Sequence, residues 1–192
     1  MKKIITIILM LALIFSLAGC SGDGPYNEGD TPLYAIPAVE WRDFFADLAD
    51  SSGFPWEPWD AEYTLELPEF PGVTFTLTAL SLTATDQYGT RTLFGGMPIW
   101  NVYIADITGS GLPDFAATVS FGSGIVDDRV LVYDFANGVL YGLSDRMNND
   151  YSLSTYNGEL IVIRRPHPVR EAGEVQKGEL AVIDGKLTMV VR

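Results

Sequence analysis

The chain has one cysteine, one histidine, and 12 basic residues against 25 acids. Each shortage removes a class of function. A lone cysteine, Cys20, forms no intrachain disulfide, so an exported domain must be held by its core, by ligands or by both. The single histidine, His167, lies between two prolines, in a stretch expected to be a surface loop. Zinc coordination and Cys/His nucleophilic catalysis therefore lose their usual parts. The formal charge of −13 disfavours nucleic acid as a partner, because phosphate neutralisation needs clustered Lys and Arg. It also disfavours direct adhesion to anionic lipid and would attract cations. No Gly-x-Ser-x-Gly elbow occurs, and no His-Glu-x-x-His motif. The glycines of Phe121–Gly124 have the wrong spacing for a dinucleotide loop, and no helical pattern follows them.

The N-terminus is rich where the rest is poor. Lys2 and Lys3 precede an apolar run, Ile4–Phe15, broken only by Thr6 and too short to cross a bilayer comfortably. It ends in Leu17-Ala18-Gly19-Cys20. The segment resembles a bacterial lipoprotein signal with its Leu-Ala-Gly-Cys lipobox. That resemblance implies cleavage before Cys20, diacylglycerol on its sulfur, and an anchor in the extracytoplasmic face of the cell membrane. The expected division is a signal peptide over 1–19, a lipidated Cys20 with a flexible tether over 20–37, and a single β-rich domain over 38–192. The tether, rich in Gly, Pro, Asp and Asn, would reach roughly 20–25 Å as a coil.

"AVEWRDFFADLAD", Ala38–Asp50, places Val39, Trp41, Phe44, Phe45 and Leu48 at helical spacing. It predicts one short N-terminal helix, either capping a β core or docking a partner. "SSGFPWEPWD" then crowds Phe54, Trp56 and Trp59 between Gly53 and two prolines. Clustered aromatics of this kind plug the base of a domain or stack on sugars or peptides. Trp41, Phe44, Phe54, Trp56 and Trp59 are accordingly the candidate partner-docking residues.

From Tyr63 onward the pattern is β. Ten segments alternate or run β-branched and aromatic between turn residues, predicting nine to eleven strands. The expected fold is mainly β: an antiparallel sandwich or partial-propeller-like meander. Gly138, Gly158 and Gly178 fall at equal intervals, each after Asn or Lys and before an apolar run. That rhythm predicts three turns needing positive φ, each opening a strand.

"IADITGSGLPDF", Ile104–Phe115, joins two of these strands. Asp106, Thr108 and Ser110 alternate, Gly111 permits a sharp turn, the Leu112 carbonyl is a further oxygen, and Asp114 closes the loop. Calcium wants six to eight oxygens, and such a comb supplies several. The stretch resembles the Asp-x-Asn-Gly-Asp-Gly-x-x-Asp calcium loops of integrin-like propeller blades. Thr108 and Ser110 stand where those loops carry Asn and Asp, which implies a weak, structural calcium site. The other reading is a polar turn in which Asp106 and Asp114 accept backbone N–H bonds. A single copy argues against a whole propeller.

A second cluster, Asp127, Asp128 and Arg129, opens a strong strand and is a candidate ligand-binding group. Adjacent strand residues point to opposite faces, so the two acids cannot serve one small site once the strand has begun. One of them is expected to pair with Arg129 or a turn amide. Asp145, Arg146 and Asp150 are further polar residues on a later loop.

The combination of "FPGVTFT", "GMPIWNVYIADITGSGLPDF", "TVSFGSGIVDDRVLVYDFANG" and "LSDRMNNDYSL", spanning Phe70–Leu153, resembles an uncharacterised family of extracytoplasmic domains of Gram-positive bacteria. Some members are lipoproteins; others are tails on membrane metallopeptidases of the antibiotic-sensor type. The resemblance implies a non-catalytic binding or sensing module on the membrane surface, and no enzyme activity. The alternatives are a carboxylate-based cell-envelope hydrolase and a structural accessory that docks to a membrane protein. Expected partners are the bilayer, through Cys20, and an envelope or membrane protein.

Overall fold

Thirteen β-strands, all paired antiparallel, organise the described residues of the computed structural model, which are 40–44, 59–146, 148–167 and 173–192. They fall within one structural unit, Ile36–Arg192. β1 (Trp41–Asp43) is set apart in sequence from the others. β2 (Glu62–Glu66), β3 (Thr74–Thr78), β4 (Ser81–Asp86) and β5 (Gly89–Gly95) form the first sheet in chain order. β6 (Ile99–Ala105), β7 (Asp114–Phe121), β8 (Asp127–Asp134) and β9 (Val139–Leu143) form the second, with β1 added beside β6. β10 (Asn149–Tyr156), β11 (Glu159–Pro166), β12 (Gln176–Ile183) and β13 (Lys186–Val191) form the third. The fold is therefore mainly β, a succession of hairpin meanders.

The second sheet lies between the other two, and β7 shows why. Every residue of β7 but the last is buried. Phe115, Ala117 and Val119 enter one core with Phe75, Leu77, Leu82 and Phe94 of the first sheet. Ala116 enters the other with Val130 and Val132, against Tyr151, Leu153 and Val162 of the third. A strand buried on both faces reads as a near-continuous apolar run, as "DFAATVSF" does. Its few polar atoms on the third-sheet side are bonded. Thr118 Oγ1 accepts from the Leu153 amide at 2.8 Å. Asn101 Nδ2 donates to the Leu153 carbonyl at 3.1 Å, while Asn101 Oδ1 accepts from the Thr118 amide at 2.9 Å.

Three expectations need correction. Trp41–Asp43 form a strand, with Trp41 opposite Ala105 and Asp43 opposite Tyr103, where a helix over 38–50 was expected. Pairing with the edge of β6 outweighs the local helical periodicity; 38–39 and 45–50 lie outside the described residues. His167 is buried, not a surface-loop residue, and its amide donates to the Asn148 carbonyl. Gly138 and Gly158 do open hairpins with φ of 66° and 81°, but Gly178 lies within β12. The third turn is Asp184-Gly185, with φ of 51° and 72°, matching Asn157-Gly158 at 53° and 81°. Two consecutive positive φ values make the tight two-residue turn that suits twisted hairpins.

Candidate functional site

β6 opens with a bulge: Ile99 pairs with Val119 and Asn101 with Thr118, which leaves Trp100 as the extra residue. Bulges re-aim a side chain, and this one turns an indole outward, 41% exposed. The ring stays fixed because Trp100 Nε1 donates to Ser120 Oγ at 2.6 Å. The buried Ser120 hydroxyl in turn donates to Asp128 Oδ1 at 2.5 Å. The Asp128 amide donates to Asp150 Oδ1 at 3.2 Å. Indole, hydroxyl and the Asp128 carboxylate thus form one hydrogen-bonded line from β6 across β7 to β8, and the Asp128 backbone amide separately ties β8 to Asp150 on β10. Exposed Met97 precedes the bulge, and its amide donates to the Ser120 carbonyl at 2.8 Å.

The two sequence-predicted acids separate as strand geometry requires. Asp128 shares its face with Val130 and the third sheet, whereas Asp127 shares its face with Arg129, Leu131 and the first sheet. Asp127 is 1% exposed, and its Oδ2 accepts from Arg129 Nε at 2.5 Å. Its Oδ1 is buried without a hydrogen-bond partner among the described residues. Arg129 also lies over the Phe121 ring, 4.7 Å from the centroid. Asp127, Asp128 and Arg129 are therefore near neighbours at one end of the sheet but do not form one pocket. Asp145 is taken up locally, accepting from the side chains of Asn148 and Asn149 at 2.7 Å each.

At the opposite end of the sheet lies the Asp106–Asp114 loop. Asp106 Oδ1 accepts from the Ser110 amide at 2.9 Å and Oδ2 from the Gly111 amide at 3.0 Å. Asp114 Oδ2 accepts from the Thr108 amide at 2.7 Å and Oδ1 from the Thr108 hydroxyl at 3.1 Å. Ser110 Oγ donates to the Leu112 carbonyl at 3.2 Å. Gly109 and Gly111 take φ of 71° and 84°, which non-glycine residues adopt only with strain. The calcium-comb residues do converge, but on the loop's own amides. No group of three or more His, Cys, Asp or Glu side chains among the described residues is arranged to hold a metal ion. Burial pushes the Asp114 carboxyl up to about 6; nearby Asp134 adds to this, while the Thr108 bonds oppose it. Beside the loop is a groove of about 410 Å³ lined by Glu40, Arg42, Glu69, Asp106, Leu112 and Pro113 among others. Arg42 pairs with Glu69 across it at 2.8 Å.

The partner-docking candidates divide differently. Phe44 is buried in the core with Phe75 and Val102, so it offers no surface. Trp41 packs edge-on against Tyr103 at 5.6 Å and donates from Nε1 to the Gly158 carbonyl at 2.9 Å. Burial beneath it, and then Asp43, push the Tyr103 hydroxyl up to about 12. Trp59 is 52% exposed. Phe54, Trp56, Cys20 and the tether lie outside the described residues.

Sequence reasoning missed Trp100 and Ser120. The signal available was Trp100 within the otherwise regular "IWNVYIA", but nothing in a single sequence marks a bulge. Comparison with known protein families, curated proteins and solved structures gave no match.

Proposed function

We propose that this protein is a lipid-anchored, extracytoplasmic binding or sensing module without catalytic activity, and that it binds at the Trp100 end of its central sheet. The observation that carries the reading is the exposed indole on the bulge, held at 2.6 Å by Ser120, whose hydroxyl also donates to Asp128. A large aromatic fixed by a buried polar partner binds at little cost in side-chain entropy. The polar chemistry favours binding over turnover. Ser120 Oγ is engaged with Asp128, and His167 Nε2 lies 2.9 Å from the Val126 carbonyl oxygen. Neither contact is the hydroxyl–imidazole pair that nucleophilic catalysis uses.

The anchor rests on the lipobox at Cys20. Growth of the expressing bacterium with labelled palmitate tests it: label is expected on the wild-type chain and absent from Cys20→Ala. Binding is tested by exposing the full chain to defined peptides and glycans, following both retention and chemical change of each probe. Retention without change supports a binding module; a cleaved probe supports the carboxylate-hydrolase alternative.

A further inference from the structure

We propose that the Asp127–Arg129 pair grips a neutral amide group of a peptide ligand, with the β7–β8 loop, Gly122–Val126, as the lid over it. This goes beyond the Trp100 reading above, because Asp127 and Arg129 lie on the opposite face of β8 from Asp128. A buried carboxylate oxygen without a donor is rare in folded proteins and calls for a water, an ion or a ligand. Asp127 Oδ1 is such an atom, in a side chain only 1% exposed. Arg129 holds the other oxygen through Nε alone, so the remaining guanidinium N–H groups are not spent on this carboxylate. The Arg129 side chain is 29% exposed and is braced from below by Phe121. All five loop residues that precede the pair in the chain are exposed. The loop is fastened where the Val126 carbonyl meets His167 Nε2, which gives the lid one latch.

The chemistry of the pair selects the ligand. Arg129 already meets the charge of Asp127, so a second full cation would be repelled by the guanidinium. A calcium ion would need six to eight oxygens, and only one carboxylate oxygen is offered. A neutral group that donates at one atom and accepts at the next satisfies Oδ1 and a guanidinium N–H together. An amide does this. The lid carries Ile125 and Val126, 40% and 53% exposed, with Met97 on the adjoining segment, and such surroundings suit a peptide better than a polyol.

The test is a titration of the isotope-labelled full chain in detergent, followed by the backbone NMR signals of Ser123 and Asp127 and the indole signal of Trp100. The probes are N-acetyl-leucinamide, methyl glucoside and butylammonium chloride. Saturable shifts at Ser123 and Asp127 with the amide alone are expected. Asp127→Leu should weaken that binding about ten- to hundredfold. Should Asp127→Leu fail to fold, Arg129→Lys, at a part-exposed position, should still weaken it. Response at these signals to the glucoside or to butylammonium, or amide binding unchanged in both variants, overturns the proposal. An ordered water on Oδ1 that no probe displaces overturns it as well. Shifts confined to Trp100, or silence at all three signals, overturn it while leaving the Trp100 reading to its own test.

Discussion

The Trp100 indole and the Ser120 hydroxyl are joined by a 2.6 Å hydrogen bond that ties a solvent-facing ring to a buried strand. The same hydroxyl donates to Asp128, so one side chain serves both the ring and the acid. Ser120→Ala would leave both without that partner. A loss of about 1–3 kcal/mol is expected in urea unfolding, together with greater mobility of the Trp100 ring by fluorescence anisotropy.

Asp114 makes stability depend on pH in an unusual direction. Its carboxyl is raised from 3.8 to about 6 in the folded chain, so the folded state holds more protons between those values. Stability from this group is full below about pH 4 and is lost as pH rises through about 6. Asp114→Asn, which carries no titrating charge beside Asp134, should flatten that slope. Unfolding midpoints measured from pH 4 to 7 check the sign.

The loop ahead of Asp114 holds itself together with its own amides. Asp106→Ala removes the acceptor for the Ser110 and Gly111 amides, and a cost of about 1–2 kcal/mol is expected. If the turn alone is responsible, melting temperatures will fall equally in millimolar calcium and in chelator. A variant that loses a calcium-induced shift seen in wild type would instead establish the weak calcium site.

Two glycines separated by twenty residues should respond differently to alanine. Gly158 sits at φ 81° with open space where a Cβ would go, so Gly158→Ala costs only the left-handed strain, about 1–2 kcal/mol. At Gly178 a Cβ would collide with the Val190 carbonyl of the paired strand. Gly178→Ala should therefore be the more destabilising, as thermal melts of the two variants would show.

The glycine rhythm also shows what a sequence can and cannot disclose. Asn157-Gly158 announces its turn because the required φ is a property of those residues alone. Gly178 looks the same, but its role is a close approach to another strand, and that partner is invisible in sequence. The opposite faces of Asp127 and Asp128 were legible because strand alternation is local, whereas which acid would pair, and whether with Arg129 or a turn amide, was not. β5, "GTRTLFG", escaped notice because its exposed half is polar and glycines bound it. β1 escaped because its pairing with β6 is a distant contact that helical spacing disguised. Trp100 was illegible for a related reason: a bulge exists only relative to the strand beside it.

The most direct measurement is equilibrium binding of a defined peptide and glycan panel to the full chain and to Trp100→Ala, with mass analysis of each probe afterwards. A non-catalytic module predicts at least one probe bound saturably, recovered intact, and bound roughly tenfold or more weakly by the variant. Recovery of a cleaved probe, equal binding by the variant, or no bound probe at all would contradict it.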